Sequence, residues 1–177
     1  MRLPRFQKLH SMPTRFILFS DLHVRHSSVH TCIDVLKSLA KHAKQQDAAL
    51  ICLGDFWHTG ATLSTRQLNA VMSELRTWDA HMLMIPGNHD QAMRGNADPM
   101  LHALTPLQLA LPERVSVFST PTLVGDSLWI PYGPTEGEVR AVCAAAAAQC
   151  QAELERPLST IFCHADVVGG LMNDGIA

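Results

Sequence analysis

The sequence predicts an α/β fold in which a parallel sheet is followed by a second sheet, and three observations support this. Short apolar runs of the buried-strand type alternate with segments whose apolar residues recur at helical spacing. Acidic residues, asparagine or histidine follow soon after the first three apolar runs. Beyond residue 115 the pattern changes to brief strand-like runs separated by proline and glycine. A chain of 177 residues is long enough for one domain with a substantial core.

The first half of the chain is predicted to alternate strands and helices. Apolar runs at residues 16–19, 48–53 and 81–85 have the composition of buried strands. Apolar residues recur at helical spacing within 33–43 and again within 68–75. Because a strand–helix–strand crossover is almost always right-handed, the three strands should be parallel neighbours. The loops that follow them then meet at the carboxyl-terminal edge of the sheet, where open α/β sheets bind ligands.

The second half is predicted to form a separate sheet and one long helix. Strand-like runs at 115–118, 122–124 and 127–130 are expected to form a meander in a second sheet. A Thr-x-x-Glu capping signature opens an alanine-rich helix over residues 135–155. A last buried strand is predicted at 158–163, and His164 follows it as the earlier motifs follow their strands.

Composition limits the classes of partner. The 14 Lys and Arg residues against 16 Asp and Glu give a net charge of -2, which offers no strong attraction to nucleic acid or an anionic membrane. No run reaches the roughly 18 apolar residues of a membrane span, so no membrane partner is expected. The five cysteines form no CxxC pair and lie mostly in apolar stretches, which predicts reduced thiols in an intracellular, cytoplasmic protein.

Residues 1–14 are predicted to be a flexible basic leader in front of a domain that covers 15–177. The leader has basic but no acidic residues and lacks the apolar stretch of a secretory signal. The alternative is a short organellar presequence, which leaves an organellar location open.

The residues after the strands have the chemistry of a metal site. They are Asp21, His23, Asp55, Asn88 and His164. Hydrolysis of a phosphate ester at neutral pH needs charge neutralisation and hydroxide, and two divalent ions about 3.5 to 4 Å apart supply both. The ions need a shared ligand, and the two carboxylate oxygens of Asp55 make it the candidate bridge. Mixed nitrogen and oxygen ligation favours Mn²⁺, with Fe or Zn as alternatives, over Mg²⁺ or Ca²⁺.

Four further side chains are candidates for contact with substrate or for proton transfer. A carboxylate beside an imidazole can orient it and favour its protonated form. His89 is therefore predicted to contact the phosphate or to protonate the leaving oxygen, with Asp90 orienting its ring. Arg25 and His26, just past the first motif, could meet substrate phosphate, and the alternative is that they are ordinary solvated loop residues.

In order and spacing, the motifs resemble those of the calcineurin-like metallophosphoesterases over about residues 15–170. They are Asp21-Leu-His23, Gly54-Asp55, Gly87-Asn88-His89-Asp90 and Cys163-His164. The resemblance implies an α/β/β/α two-sheet sandwich and a two-metal phosphoesterase with metal-bound hydroxide as the nucleophile. The ligands that it implies are Asp21 and His23 for the first metal, Asp55 as the bridge, and Asn88 and His164 for the second.

Within that family, the loop that ends in His58 and the wide spacing to His164 look most like the DNA-repair exonucleases of the SbcD kind and their phage relatives. This implies a nuclease and nucleic acid as the substrate class. Those relatives commonly carry Asp in place of His58, which could still contact phosphate. The fifth family motif, Gly-His-x-His, is absent from the sequence. The domain is therefore expected to be truncated before it, and the alternative to an enzyme is a non-catalytic binding module or an inactive fragment.

Overall fold

The structure is a computed structural model that describes residues 1–6, 15–93, 98, 100–133 and 135–165. These residues form two β-sheets with helices packed against the outer face of each. The predicted two-sheet α/β sandwich is confirmed.

The first sheet consists of four parallel strands in chain order. They are β1 (Phe16–Phe19), β2 (Ala49–Cys52), β3 (Met82–Met84) and β4 (Val115–Val117). The connecting helices are α1 (Val29–Gln46), α2 (Thr65–Leu75) and α3 (Thr105–Ala110). The strands β2 and β3 are buried at every position, which explains their continuous apolar sequence.

Local sequence signals define the ends of the long helices. Helix α1 ends at Asp47, which adopts a left-handed conformation with φ of 50°. Helix α2 begins with a capping box in which Ser64 and Gln67 satisfy each other's backbone amides. The same reciprocal arrangement joins Thr135 and Glu138 at the start of the helix that follows residue 135.

The second sheet contains three strands and is covered by the longest helix. The strands are β5 (Thr122–Val124), β6 (Ser127–Ile130) and β7 (Thr160–Cys163), and the helix is α4 (Glu136–Leu154). The first two strands form an antiparallel hairpin through Gly125, which has a φ of 61°. Helix α4 is the crossover that returns the chain to β7, parallel to β6.

The predicted meander is wrong at its first strand. The run at 115–117 pairs with β3 in the first sheet and not with β5. The physical reason is the six-residue helix α3, which makes β3, α3 and β4 a third strand–helix–strand crossover unit. That helix is too short to give the periodic apolar pattern of α1 and α2.

Aromatic packing joins the two sheets. Ile51 and Leu83 from the first sheet lie in one buried cluster with Phe118 and Trp129. The Trp129 ring centroid is 5.0 Å from that of Phe118 and 4.5 Å from that of Phe162 in β7. This contact brings the end of β7 towards the loops of the first sheet.

The start of the chain differs from the flexible leader expected for it. Leu3 is 5% exposed and its backbone amide donates to Oε1 of Gln149 over 2.9 Å. Arg5 forms a bridge to Leu123 of β5, and its Nε lies 2.8 Å from Oε2 of Glu153. Leu3 thus lies in the hydrophobic core between the second sheet and α4. Residues 7–14 of the expected leader lie outside the described part of the chain.

None of the described helices is long and apolar enough to cross a membrane.

Candidate metal centre

The loops after β1 and β2 run side by side beyond the strands. The Asp21 amide donates to the carbonyl of Gly54 over 3.1 Å, and the His23 amide donates to the carbonyl of Asp55 over 3.0 Å. The Val24 amide continues the ladder to Phe56. Parallel strand pairing therefore extends into the motif loops and holds three of the predicted ligands next to one another.

The backbone of these ligands is strained. Asp21, His23 and Asp55 have φ values of 55°, 47° and 53°, in the left-handed region. This region costs a non-glycine residue roughly 1 to 2 kcal/mol. The other described non-glycine residues with positive φ, Asp47 and Glu155, terminate helices. Strain that has no such local explanation is typical of functional sites.

Two glycines permit the close approach of the chain segments that follow β2, β3 and β7. Gly54 has a φ of 100°, and a Cβ there would lie 2.8 Å from the Cα of Gly87. A Cβ on Gly87 would overlap the Asp55 carboxylate and lie 2.9 Å from Cε1 of His164. Larger residues at either position would push the candidate ligands apart.

A first group of donors contains Asp21, His23 and Asp55. The Nε2 atom of His23 lies 3.7 Å from Oδ1 of Asp21 and 3.8 Å from Oδ2 of Asp55. These distances are too long for hydrogen bonds. Two ligands bound to one ion at about 2.1 Å are about 3.0 to 3.6 Å apart, so small movements would fit all three donors to a common cation.

A second group of donors contains Asp55, Asn88 and His164. The Nε2 atom of His164 lies 3.6 Å from Oδ1 of Asp55 and 3.0 Å from Oδ1 of Asn88. Its Nδ1 lies 2.7 Å from the carbonyl of Leu53, which accepts the ring proton. With that proton on Nδ1, the Nε2 atom of His164 faces the Asn88 side chain, so an imidazole nitrogen and an amide oxygen lie within reach of one cation. The donor set therefore fits a metal ion.

Asp55 lies between the two groups. Its side chain is buried, and its two oxygens face different histidines, Oδ2 towards His23 and Oδ1 towards His164. The Oδ1 atom also accepts a hydrogen bond of 2.9 Å from the backbone amide of His89. This is the arrangement expected of a shared carboxylate ligand.

Asp90 has a different environment from the one expected. Its fully buried carboxylate accepts hydrogen bonds from the backbone amides of Trp57 over 2.8 Å, Gly87 over 2.9 Å and Phe56 over 3.4 Å. Burial raises the pKa of Asp90 to about 6, while these hydrogen bonds act in the opposite direction. The carboxylate thus ties the second motif loop to the third and is not the partner of the His89 ring.

The backbone carbonyl of His58, and not the Asp90 carboxylate, orients the His89 ring. It lies 2.9 Å from Nδ1 of His89 and so fixes the orientation of that ring. The rings of His58 and His89 are stacked, with centroids 5.6 Å apart and an interplanar angle of 18°. The centroid of the His23 ring lies 4.7 Å from that of the His89 ring. Burial lowers the pKa of His23, and Asp55 partly opposes this effect. A neutral His23 can serve as a metal ligand.

Arg25 and His26 are exposed on the loop after the first motif. Neither has a hydrogen bond or an ion pair with the candidate ligands among the described residues. The structure therefore brings together every predicted ligand, together with His58 and His89, and leaves these two residues at the periphery.

Comparison with known proteins identifies the class. The family model for calcineurin-like phosphoesterases matches residues 14–149, which is well over half of the chain. The chain therefore belongs to the calcineurin-like phosphoesterases, hydrolases of phosphate esters that use divalent metal ions. His164 lies beyond the matched residues, so its membership of the site rests on the contacts described above.

Among solved structures, the chain is similar to the crystal structure of Pseudomonas putida nuclease MPE. The two are 20% identical, the similarity covers 70% of this chain and 68% of that chain, and the TM-score is 0.42. A comparison with curated proteins gives no match.

Proposed function

We propose that the chain is a two-metal phosphoesterase in which Asp55 is shared between two divalent ions, with Mn²⁺ preferred. The observation that carries the proposal is the position of the two Asp55 oxygens, each 3.6 to 3.8 Å from a different histidine. When bound, two such ions neutralise charge on phosphate oxygens and lower the pKa of a coordinated water. Membership of the phosphoesterase family supports the same chemistry.

The residues divide into two ligand sets around that carboxylate. Asp21 and His23 would complete the first set, and Asn88 and His164 the second. In the second set, the Leu53 carbonyl holds the proton of His164 on Nδ1, which leaves Nε2 as the ligand atom. Carboxylate, amide and imidazole donors together suit Mn²⁺, Fe or Zn²⁺.

His89 would act on the substrate. Its Nδ1 donates to the carbonyl of His58 and its backbone amide to Asp55, so the ring has a fixed orientation beside the first ligand set. A protonated ring can in addition donate from Nε2 to a phosphate oxygen or to the leaving oxygen. Asp90 contributes by holding the loops that carry His58 and His89.

Nucleic acid is the substrate class that we favour. The loop that carries His58 resembles that of nucleases in this family, and the exposed side chains of Arg25 and His26 are available to phosphate groups along a strand. Cleavage of labelled single-stranded and double-stranded oligonucleotides, compared with a phosphomonoester such as p-nitrophenyl phosphate, tests this preference. Faster turnover of the monoester would contradict it.

The hydrolytic function is tested with Mn²⁺ and bis-p-nitrophenyl phosphate. The wild-type chain should release nitrophenol and retain metal in elemental analysis. Asp55→Asn should lower both turnover and metal affinity, the latter by roughly a hundredfold or more. Asp34→Asn, which alters an exposed carboxylate on α1, is the matched control and should behave as wild type. Wild-type protein without metal and without turnover above Asp55→Asn would instead favour the non-catalytic binding module.

A further inference from the structure

A second cluster of potential ligands lies beside the candidate metal centre and contains only imidazoles. His23, His58 and His89 each offer one ring nitrogen, and these three atoms lie within 4.8 Å of one another. His58 and His89 are not ligands in the two sets proposed above. All three side chains are partly buried, and their rings contact one another.

The three rings have nitrogen atoms available for a ligand. The His58 carbonyl occupies Nδ1 of His89, which leaves Nε2 of that ring. The Nδ1 atom of His23 is buried and has no hydrogen-bond partner in the described part of the chain. The ring of His58 likewise forms no hydrogen bond with the described residues and contacts the other two rings edge-on or stacked. A buried nitrogen without a partner is unfavourable unless something binds it.

We propose that His23, His58 and His89 form an alternative metal position that takes Zn²⁺ in preference to Mn²⁺. Three neutral imidazoles without a carboxylate suit a borderline ion such as Zn²⁺, whereas Mn²⁺ prefers oxygen donors. Three protein ligands with a fourth position open to water is also a common form of zinc site.

The movement that this position requires is small. Ligands of a tetrahedral zinc ion are about 3.3 Å apart, given Zn–N bonds of about 2.0 to 2.1 Å. The ligand atoms, which lie within 4.8 Å of one another, must therefore approach by at most about 1.5 Å. The His58 ring, which has no hydrogen bond to a described residue, can rotate towards the other two rings to contribute to this approach.

Occupation of the histidine position would exclude an ion from the first ligand set. A neutral imidazole has a single lone pair, so His23 serves one ion at a time. A zinc ion on the three histidines would also remove His89 from its place beside the substrate. Zinc would thus act as an inhibitor at this position. The inhibition rests on the proposed function, but the binding does not.

The test titrates Zn²⁺ alone against the full chain, in competition with a chromophoric chelator. His58→Gln should weaken Zn²⁺ binding at least about tenfold, since removal of a direct ligand costs no less than loss of an outer partner. His26→Gln changes an exposed histidine nearby and should bind Zn²⁺ as wild type. Mn²⁺ affinity, from the electron paramagnetic resonance of free Mn²⁺, should be the same in His58→Gln and wild type.

Two results would overturn the proposal. Equal Zn²⁺ affinity of wild type and His58→Gln means that zinc does not use the three histidines. Parallel loss of Zn²⁺ affinity, Mn²⁺ affinity and thermal stability in His58→Gln means that the residue has a structural role instead. Asp55→Asn separates this proposal from the proposed function, because it should lose Mn²⁺ while its His58-dependent Zn²⁺ binding persists. Wild-type chain that binds zinc in this way but never hydrolyses an ester would refute only the proposed function.

Discussion

At the scale of single residues, His89 is the side chain whose proposed role is most clearly separate from metal binding. No metal is assigned to it in the proposed function, so His89→Gln should leave Mn²⁺ content close to wild type. Turnover should fall by about 10² to 10⁴, the usual contribution of general acid–base catalysis. The comparison of kcat with the metal content of the same samples checks this. Equal losses of turnover and metal would show that His89 supports the metal centre itself.

A second prediction concerns His102, a buried histidine outside the site. Its Nε2 lies 2.7 Å from Oγ of Ser119, and its Nδ1 accepts a hydrogen bond of 3.3 Å from the amide of Leu104. Burial lowers the pKa of His102 to about 4, although Asp98 acts in the opposite direction. Protonation of Nδ1 would also break the bond to Leu104.

The lowered pKa makes stability depend on pH. The unfolded chain takes up a proton on His102 near pH 6.5, whereas the folded chain does so only near pH 4. Above pH 6.5, His102 therefore does not lower the stability of the fold. As pH drops from 6.5 to 4, the free energy of unfolding falls by at most about 1.4 kcal/mol per pH unit. Urea unfolding of wild type and His102→Gln at several pH values measures the difference. Identical slopes in that window would contradict the account.

Residue types and spacing were enough to predict the candidate ligands but not every contact around them. The sequence places Asp90 next to His89, which suggested that the two side chains interact. In the fold, the Asp90 carboxylate bonds to backbone amides of the second loop, and a backbone carbonyl orients His89. Every residue carries a backbone carbonyl and every residue except proline a backbone amide, so residue identity gives no signal for such partners.

At the scale of elements, the site depends on how closely the loops after β2 and β3 approach each other. Gly87→Ala should displace the Asp55 carboxylate, because the added Cβ would overlap it. We expect Mn²⁺ affinity to fall by tenfold or more, with a loss of stability of about 1 to 3 kcal/mol from overpacking. Mn²⁺ titration and thermal unfolding measure the two effects.

The control for this prediction is a glycine in α4. A Cβ on Gly137 would meet no atom within 4 Å, and alanine is the better helix former by about 1 kcal/mol. Gly137→Ala should therefore keep Mn²⁺ affinity and be as stable as wild type or more so. Unchanged Mn²⁺ affinity in Gly87→Ala would show that the ligands do not depend on the approach of these loops.

The order of the elements could be predicted as far as β3 because each has a strong local pattern. Continuous apolar runs mark β1, β2 and β3, and helical periodicity marks α1 and α2. The sheet to which β4 belongs could not be predicted, since a three-residue strand carries no information about its partner. The left-handed backbone at Asp21, His23 and Asp55 was also missed, although Asp is among the residues that tolerate it.

At the scale of the whole molecule, the candidate centre requires both sheets. Asp55 and Asn88 follow strands of the first sheet, whereas His164 follows β7 in the second sheet, where its amide bonds to the carbonyl of Ile130. The packing of Trp129 against Phe118 and Phe162 joins the two sheets that carry these residues. Sequence could indicate His164 as a candidate ligand, but its contact with Asp55 and Asn88 results from long-range packing.

The central claim is that one carboxylate joins two ions, and the magnetic coupling of bound Mn²⁺ tests it most directly. Two Mn²⁺ ions that share Asp55 should give the electron paramagnetic resonance spectrum of a coupled pair in the wild-type chain. Asp55→Asn should give only the spectrum of isolated Mn²⁺ or none. A wild-type spectrum of isolated Mn²⁺ alone, at saturating metal, would contradict the account.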